Sequence, residues 1–169
     1  MPKASDRRGY QAVAGGMCIH LMIGAFYLWG SLGTYVVSYF RKRNNPDLTY
    51  DTANFIFPVS TCMNCLCNYA GLWASSRFGS RKATFFFSML NILAVFLSSL
   101  VQDFWHFFFL YGVLQGGASG CLYMTPIRIA TRYFPYKKGT ASGLIVASYA
   151  VASFLLAFMV IPIINPENE

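Results

Sequence analysis

Five apolar stretches, at about residues 12–40, 53–75, 82–101, 104–130 and 140–164, are each long enough to cross a hydrocarbon core, which takes roughly 20 helical residues. Lipid offers no water to the backbone N–H and C=O groups, so a spanning segment has to satisfy them within itself as a helix. The 169-residue chain is therefore expected to be all-α, a polytopic membrane helix bundle with five transmembrane helices, forming a single transmembrane domain over residues 1–169. A composition of 56% hydrophobic, 18% aromatic and 11% charged residues is too apolar to cover a soluble domain. The first stretch is far longer than a secretory h-region and lacks a small-residue cleavage site, so it is expected to stay as a span. "MPKASDRR" is short and contains an acid, so no mitochondrial presequence is expected either.

The net charge of +7 invites a nucleic-acid reading, but the placement of the cations argues for topology instead. With alternating spans, one side carries Lys3, Arg7 and Arg8, then Arg77, Arg81 and Lys82, then Arg128, Arg132, Lys137 and Lys138; the other has only Arg41, Lys42 and Arg43. Inner loops hold the excess of Lys and Arg, so the N-terminus is placed inside. Five acids, Asp47, Asp51, Asp103, Glu167 and Glu169, fall outside and Asp6 is the exception. No nucleic-acid partner is expected. The expected partners are the lipid bilayer, including anionic lipids at the inner basic loops, and other membrane protein subunits. Arg128 is expected to snorkel to the inner headgroups.

Little in the spans offers chemistry. Cys62 and Cys65 form a C-x-x-C pair, but it lies within a span and has no second pair to complete a four-ligand zinc site. No metal site, cofactor or catalytic residue is expected, since no nucleophile stands beside a base and no carboxylate pair or phosphate-cradling glycine loop occurs. Asn64, Asn68, Asn91, Gln115 and His20 lie within spans, where polar groups turn inward, as interhelical glue or as pathway lining. No Asp or Glu falls in any span, so no carboxylate is available there for ion coupling. Gly112, Gly116 and Gly120, four residues apart in "YGVLQGGASG", predict a smooth face for close helix packing.

Several pieces carry a family resemblance. "RFGSRK" (77–82), between the second and third spans, resembles the inner-loop signature of the major facilitator superfamily. "GAFYLWGSLGTY" (24–35), "YGVLQGGASGCLY" (111–123) and "RYFPYKKGTASGL" (132–144) are similar to its oxalate/formate antiporter and monocarboxylate transporter branch. The order of these pieces matches almost end to end. The basic elbow at Arg132, Lys137 and Lys138 then corresponds to the inner loop joining helices four and five. The resemblance implies aromatic or polar pathway residues, with Tyr27 and Tyr123 as candidates beside Asn64 and Gln115. Three departures stand out: Ser76 replaces the latch acid before Arg77 and Leu72 a customary glycine; the first span lacks the embedded lysine of proton-coupled carriers; and five helices are present where the family has twelve.

From that last departure the expectation is a non-transporting, membrane-embedded accessory subunit of a larger complex, derived from such a transporter. Five helices have no second half to rock against, and polar pathway residues left facing lipid need a covering partner. A mitochondrial inner-membrane assembly is compatible with this, though no residue names one. The alternative is the N-terminal part of a small organic anion carrier, completed by a second polypeptide or a second copy.

Overall fold

The computed structural model describes residues 4–164 and, of their side chains, all but those of residues 4–6, 161, 162 and 164. Lys3, Glu167 and Glu169, and the side chain of Asp6, to which the charge reading assigned sides, lie outside that description. Every described element is helical. The first span comprises α1 (Ala4–Ile23), a tight 3-10 segment (Gly24–Leu28) and α2 (Trp29–Arg43). It overruns the apolar stretch at both ends because hydropathy marks the hydrocarbon core, whereas helical hydrogen bonding continues into polar surroundings.

A short helix, α3 (Tyr50–Asn54), precedes α4 (Ile56–Phe78), which forms the second span. The expected start at 53 falls inside α3, which begins earlier because Thr49 caps it, its Oγ1 accepting from the Thr52 N–H at 3.3 Å, and a turn at Phe55 separates it from α4. Gly79, at φ +90, makes the turn in "RFGSRK" into α5 (Ser80–Leu100), a conformation that only glycine adopts without strain. The fourth span consists of α6 (Phe104–Phe107), a π-helical stretch (Phe108–Gln115) and α7 (Gly116–Tyr133). The fifth is α8 (Lys138–Ile164).

Among the described residues, four spans are apolar enough to cross a membrane by length and composition: Arg7–Arg43, Ser80–Leu100, Phe104–Tyr133 and Lys138–Val160. The remaining helix, α4, runs 23 residues, about 35 Å, but is diluted by Asn64, Asn68 and several Ser and Thr residues. Its inward polar groups face protein. It lies along α7 in the most extensive helix pair of the bundle, and α7 also touches α1, α5 and α8, which places the fourth span at the centre. Outward-facing α5 and α8 expose Phe85, Phe86, Phe96, Phe154 and Phe158, a surface suited to acyl chains and not to water.

Glycine holds the central seam together. A Cβ on Gly116 would lie 2.6 Å from the Ser60 Oγ, and one on Gly120 would overlap the Asn64 carbonyl. The reciprocal approach, which the sequence did not suggest, is Gly71 of α4 against the Cys121 backbone. Gly112 stands apart: a Cβ there would meet only Ile56, at 4.0 Å. It still shares the face of the other two, since Gly112, Gly116 and Gly120 stand opposite Ile56, Ser60 and Asn64, four residues apart on α4; the backbones are simply farther apart at that end of the seam.

Asn91 ties α5 to this seam. Its Nδ2 donates to the Ser119 Oγ at 2.8 Å and to the Gln115 carbonyl at 3.3 Å, the interhelical glue that its position within a span suggested. A double-mutant cycle of Asn91→Leu with Ser119→Ala, read by thermal unfolding in detergent, is expected to give a coupling of about 0.6 kcal/mol, and no more than about 2.

Candidate functional site

The site is assembled between the first, fourth and fifth spans. Gly24 allows α8 to come in closely, since a Cβ there would sit 2.5 Å from the Tyr149 carbonyl and 2.6 Å from the Ala152 Cβ. With the backbones this close, Tyr149 enters between Tyr27 of the 3-10 segment and Tyr123 of α7. The Tyr149 ring centroid is 5.1 Å from Tyr27 and 5.8 Å from Tyr123, both edge to face, the arrangement that opposed ring quadrupoles favour. Underneath lies His20 of α1, 5.0 Å from Tyr123 and 6.1 Å from Tyr149. Ile23, Phe26 and Leu122 pack around Tyr149 and fix the cluster from behind.

Exposure grades across the group. Tyr27 is 51% exposed, Tyr149 8% and His20 0%, so the cluster runs from an open mouth to a buried floor. Beside the mouth, a cavity of about 410 Å³ is lined by Tyr27, Trp29, Gly30, Asn54, Phe57 and Pro58. The phenols of Tyr27, Tyr123 and Tyr149 have no hydrogen-bond partner among the described residues, so a ligand can take them as donors.

Of the four pathway candidates, Tyr27 and Tyr123 are thus brought together, with Tyr149 as the bridge. Asn64 and Gln115 are elsewhere, on the α4 to α7 seam. The Asn64 carbonyl accepts from the Asn68 Nδ2 at 2.9 Å, and Gln115 is buried with no partner for its Oε1 among the described residues. Tyr149 was missed because it is a single aromatic in the "VASYAVAS" run, with no pattern to distinguish it from packing. His20 had a signal, as the histidine well inside a span, but its neighbours were not legible.

At one end of the bundle Arg8, Arg81 and Arg132 line a cavity of about 920 Å³ together with Gln11 and Tyr133. None of the three guanidinium groups has an ion pair among the described residues. Arg77, Lys82, Lys137 and Lys138 are exposed nearby in sequence, as is Arg128. The elbow is shaped by its aromatics: the Phe134 ring packs tilted against Tyr10 with centroids 5.4 Å apart, and its carbonyl accepts from the Lys137 N–H at 3.1 Å. Two of the cations at the other end are engaged instead, Arg41 over the Tyr50 ring at 5.0 Å and Arg43 over Tyr39 at 5.5 Å. Cys62 and Cys65 point to the exposed face of α4, whereas the Cys121 thiol donates to the Cys67 carbonyl at 3.3 Å across the seam.

A bundle of apolar helices with lipid-suited outer faces and an aromatic cluster opening between its spans defines an integral, multi-pass membrane protein of the transporter-like type. The chain belongs to the Major Facilitator Superfamily, whose family model matches residues 12–165. Among its relatives, Apicoplast pyruvate carrier 1 of Toxoplasma gondii is 26% identical over 94% of this chain and 35% of that protein. Monocarboxylate transporter 9 of Rattus norvegicus is 37% identical over 48% of this chain and 16% of that protein. An MFS-type transporter of Aspergillus fumigatus is 24% identical over 95% of this chain and 36% of that protein. The chain therefore spans about a third or less of the length of these relatives. No solved structure gives a significant match.

Proposed function

We propose that this chain supplies N-terminal, substrate-facing helices of a carrier for small monocarboxylates. The observation that carries this reading is the convergence of Tyr27, Tyr123 and Tyr149 from three spans, with unpartnered phenols around an open mouth. Phenol O–H groups donate to a carboxylate, and the ring faces enclose a short carbon chain, so a pyruvate-sized acid suits the cluster better than a sugar. The relatives that carry pyruvate or monocarboxylates in their names support the same substrate class. Alternating access rocks one helical bundle against another, and these spans are assigned to the first of the two. The arginine-lined end is assigned to the inner side, where positive loops are retained.

The test is purification of the native, tagged chain in mild detergent, with particle size and co-purifying proteins read by mass spectrometry, followed by radiolabelled pyruvate uptake into proteoliposomes of that particle. Saturable pyruvate uptake by the recovered particle is the expected result. Recovery in fixed ratio with the subunits of a large complex, with no pyruvate binding, would overturn it in favour of an accessory subunit. The glycine face of the fourth span offers that second reading no docking surface, because α4 of the same chain already occupies it.

The exposed basic elbow is proposed to hold anionic lipid, each cation near a charged surface contributing about 1 kcal/mol. Replacing Lys137 and Lys138 by Gln is expected to lower the phosphatidylglycerol that co-purifies with the chain, measured by lipid mass spectrometry. Unchanged lipid content would leave the elbow as a topology signal.

A further inference from the structure

The cavity of about 920 Å³ at the arginine-lined end shares no residue with the aromatic cluster. Arg8 comes to it from α1, Arg81 from the start of α5 and Arg132 from the end of α7, so three spans each bring one guanidinium to the same space. None of the three has a hydrogen bond or an ion pair among the described residues, and no carboxylate among those residues lines the cavity with them. Arginine stays protonated throughout the physiological range, so like charges surround one space with nothing to offset them. Water screens that repulsion in part; an anion in the cavity removes it. At the other end of the bundle the arginines are engaged, Arg41 donating to the Leu48 carbonyl and Arg43 to the Tyr39 hydroxyl. The backbone adds to the positive field at the cavity. After the turn at Gly79, α5 starts with no side chain capping it and no acid in its first turn, and Ser80 and Arg81 of that turn line the cavity. Its leading N–H groups and the positive end of its dipole therefore meet whatever occupies the space. Gln11 of α1 adds an amide donor, and a Cβ on Gly15, one turn further on, would meet nothing within 4 Å, so the α1 wall leaves room there.

We infer that this cavity is a binding site for an anion with two or more adjacent phosphate groups, as in tripolyphosphate, a nucleoside triphosphate or a polyphosphoinositide headgroup. The charge count selects the class. A carboxylate or a phosphodiester carries a single charge and leaves most of the arginine charge unmatched, whereas a terminal phosphate alone carries about two at neutral pH and its neighbours add more. Geometry selects it too, since each planar guanidinium takes two phosphate oxygens at once, and arginines spread over three spans suit a row of phosphates better than one small ion. Once bound, the anion ties the ends of α1, α5 and α7 together. Because it binds the assembled bundle and not the separated helices, it raises the melting temperature. The site goes beyond the monocarboxylate reading and does not depend on it.

The test uses the chain in nanodiscs of phosphatidylcholine, titrated with sodium tripolyphosphate by isothermal calorimetry, with orthophosphate and sulfate at equal ionic strength as controls. Tripolyphosphate is expected to bind about tenfold or more tightly than either, and to weaken as sodium chloride is raised. Arg8→Gln and Arg132→Gln are each expected to lower its affinity about tenfold, and the double variant to lose binding. Arg132→Lys keeps the charge without the planar fork and is expected to lose only a few-fold. Melts without ligand are read first: removing one of several like charges leaves the melting temperature the same or higher, so lost binding is not lost folding. Lys42→Gln, an exposed cation at the other end, is expected to leave the affinity unchanged. Two further arms separate the sources. Competition by ATP added from solution assigns the site to soluble ligands, and loss of tripolyphosphate binding when a polyphosphoinositide is built into the nanodisc assigns it to a headgroup. Tripolyphosphate binding no tighter than sulfate, or unchanged in the double variant, would overturn the site. So would an equal loss in Lys42→Gln, which would reduce the binding to net charge.

Discussion

Substituting Gly120 by Leu is expected to prevent the bundle from assembling, and this is the largest single-residue effect that the structure implies. Even a Cβ at this position would overlap the Asn64 carbonyl, a backbone atom of a paired helix that cannot rotate away as a side chain would. Relief requires α4 and α7 to separate along their length, which loses the contacts at Gly116 and Gly71 together. In lipid no hydrophobic drive between helices compensates, since association there rests on van der Waals packing and hydrogen bonds. A loss of about 3 kcal/mol or more is expected, beyond the usual range for overpacking because backbone and not side chain must move. Size-exclusion profiles of a fluorescent fusion should show aggregate in place of a single symmetric peak. Gly112→Ala serves as the contrast: with only Ile56 at 4.0 Å, it should elute and melt like the unsubstituted chain. Equal behaviour of the two variants would sink this account of the seam.

The second large effect is expected at Tyr149. Its ring lies between Tyr27 and Tyr123 and also touches His20, so truncation to Ala removes the bridge among three spans. Deleting a buried aromatic side chain costs about 3–5 kcal/mol in well-packed cores, so Tyr149→Ala is expected to lower the melting temperature markedly as well as to abolish pyruvate binding. Tyr149→Phe separates the two roles. It retains the ring and the packing against Ile23, Phe26 and Leu122, so stability should be almost unchanged. Pyruvate affinity should fall about tenfold, the consequence of one lost hydrogen bond worth roughly 1–1.5 kcal/mol. Binding by isothermal calorimetry beside thermal melts would read both. Full pyruvate affinity in Tyr149→Phe would remove that hydroxyl from the site.

Much of the fold was legible because membrane insertion is decided segment by segment. The apolar stretches correspond to the helices, with displaced ends, since a helix continues past the hydrocarbon core at Ala4–Ile23 and a separate helical turn capped by Thr49 precedes α4. The shared face of Gly112, Gly116 and Gly120 could be read from their spacing, whereas how closely α4 approaches each could not, so the slack at Gly112 came from the structure. Gly71 and Gly24 gave no signal, as a glycine tells nothing of its use until the facing backbone is known. For the candidate site, Tyr27 and Tyr123 came from the resemblance, whereas Tyr149 and the orphaned Nε2 of His20 came from the tertiary structure.

The sequence by itself determined what each segment must do in a membrane: five helical spans, basic loops gathered toward one side, and small residues marking a tight seam. These follow from local desolvation, since every backbone amide must be satisfied within its own stretch whatever its neighbours are. Only the tertiary structure decided which faces meet. The rotation of each helix about its axis is set by pairwise close packing between distant residues, Gly24 with Tyr149 and Gly120 with Asn64, and those contacts gather three tyrosines and one histidine into a single cluster.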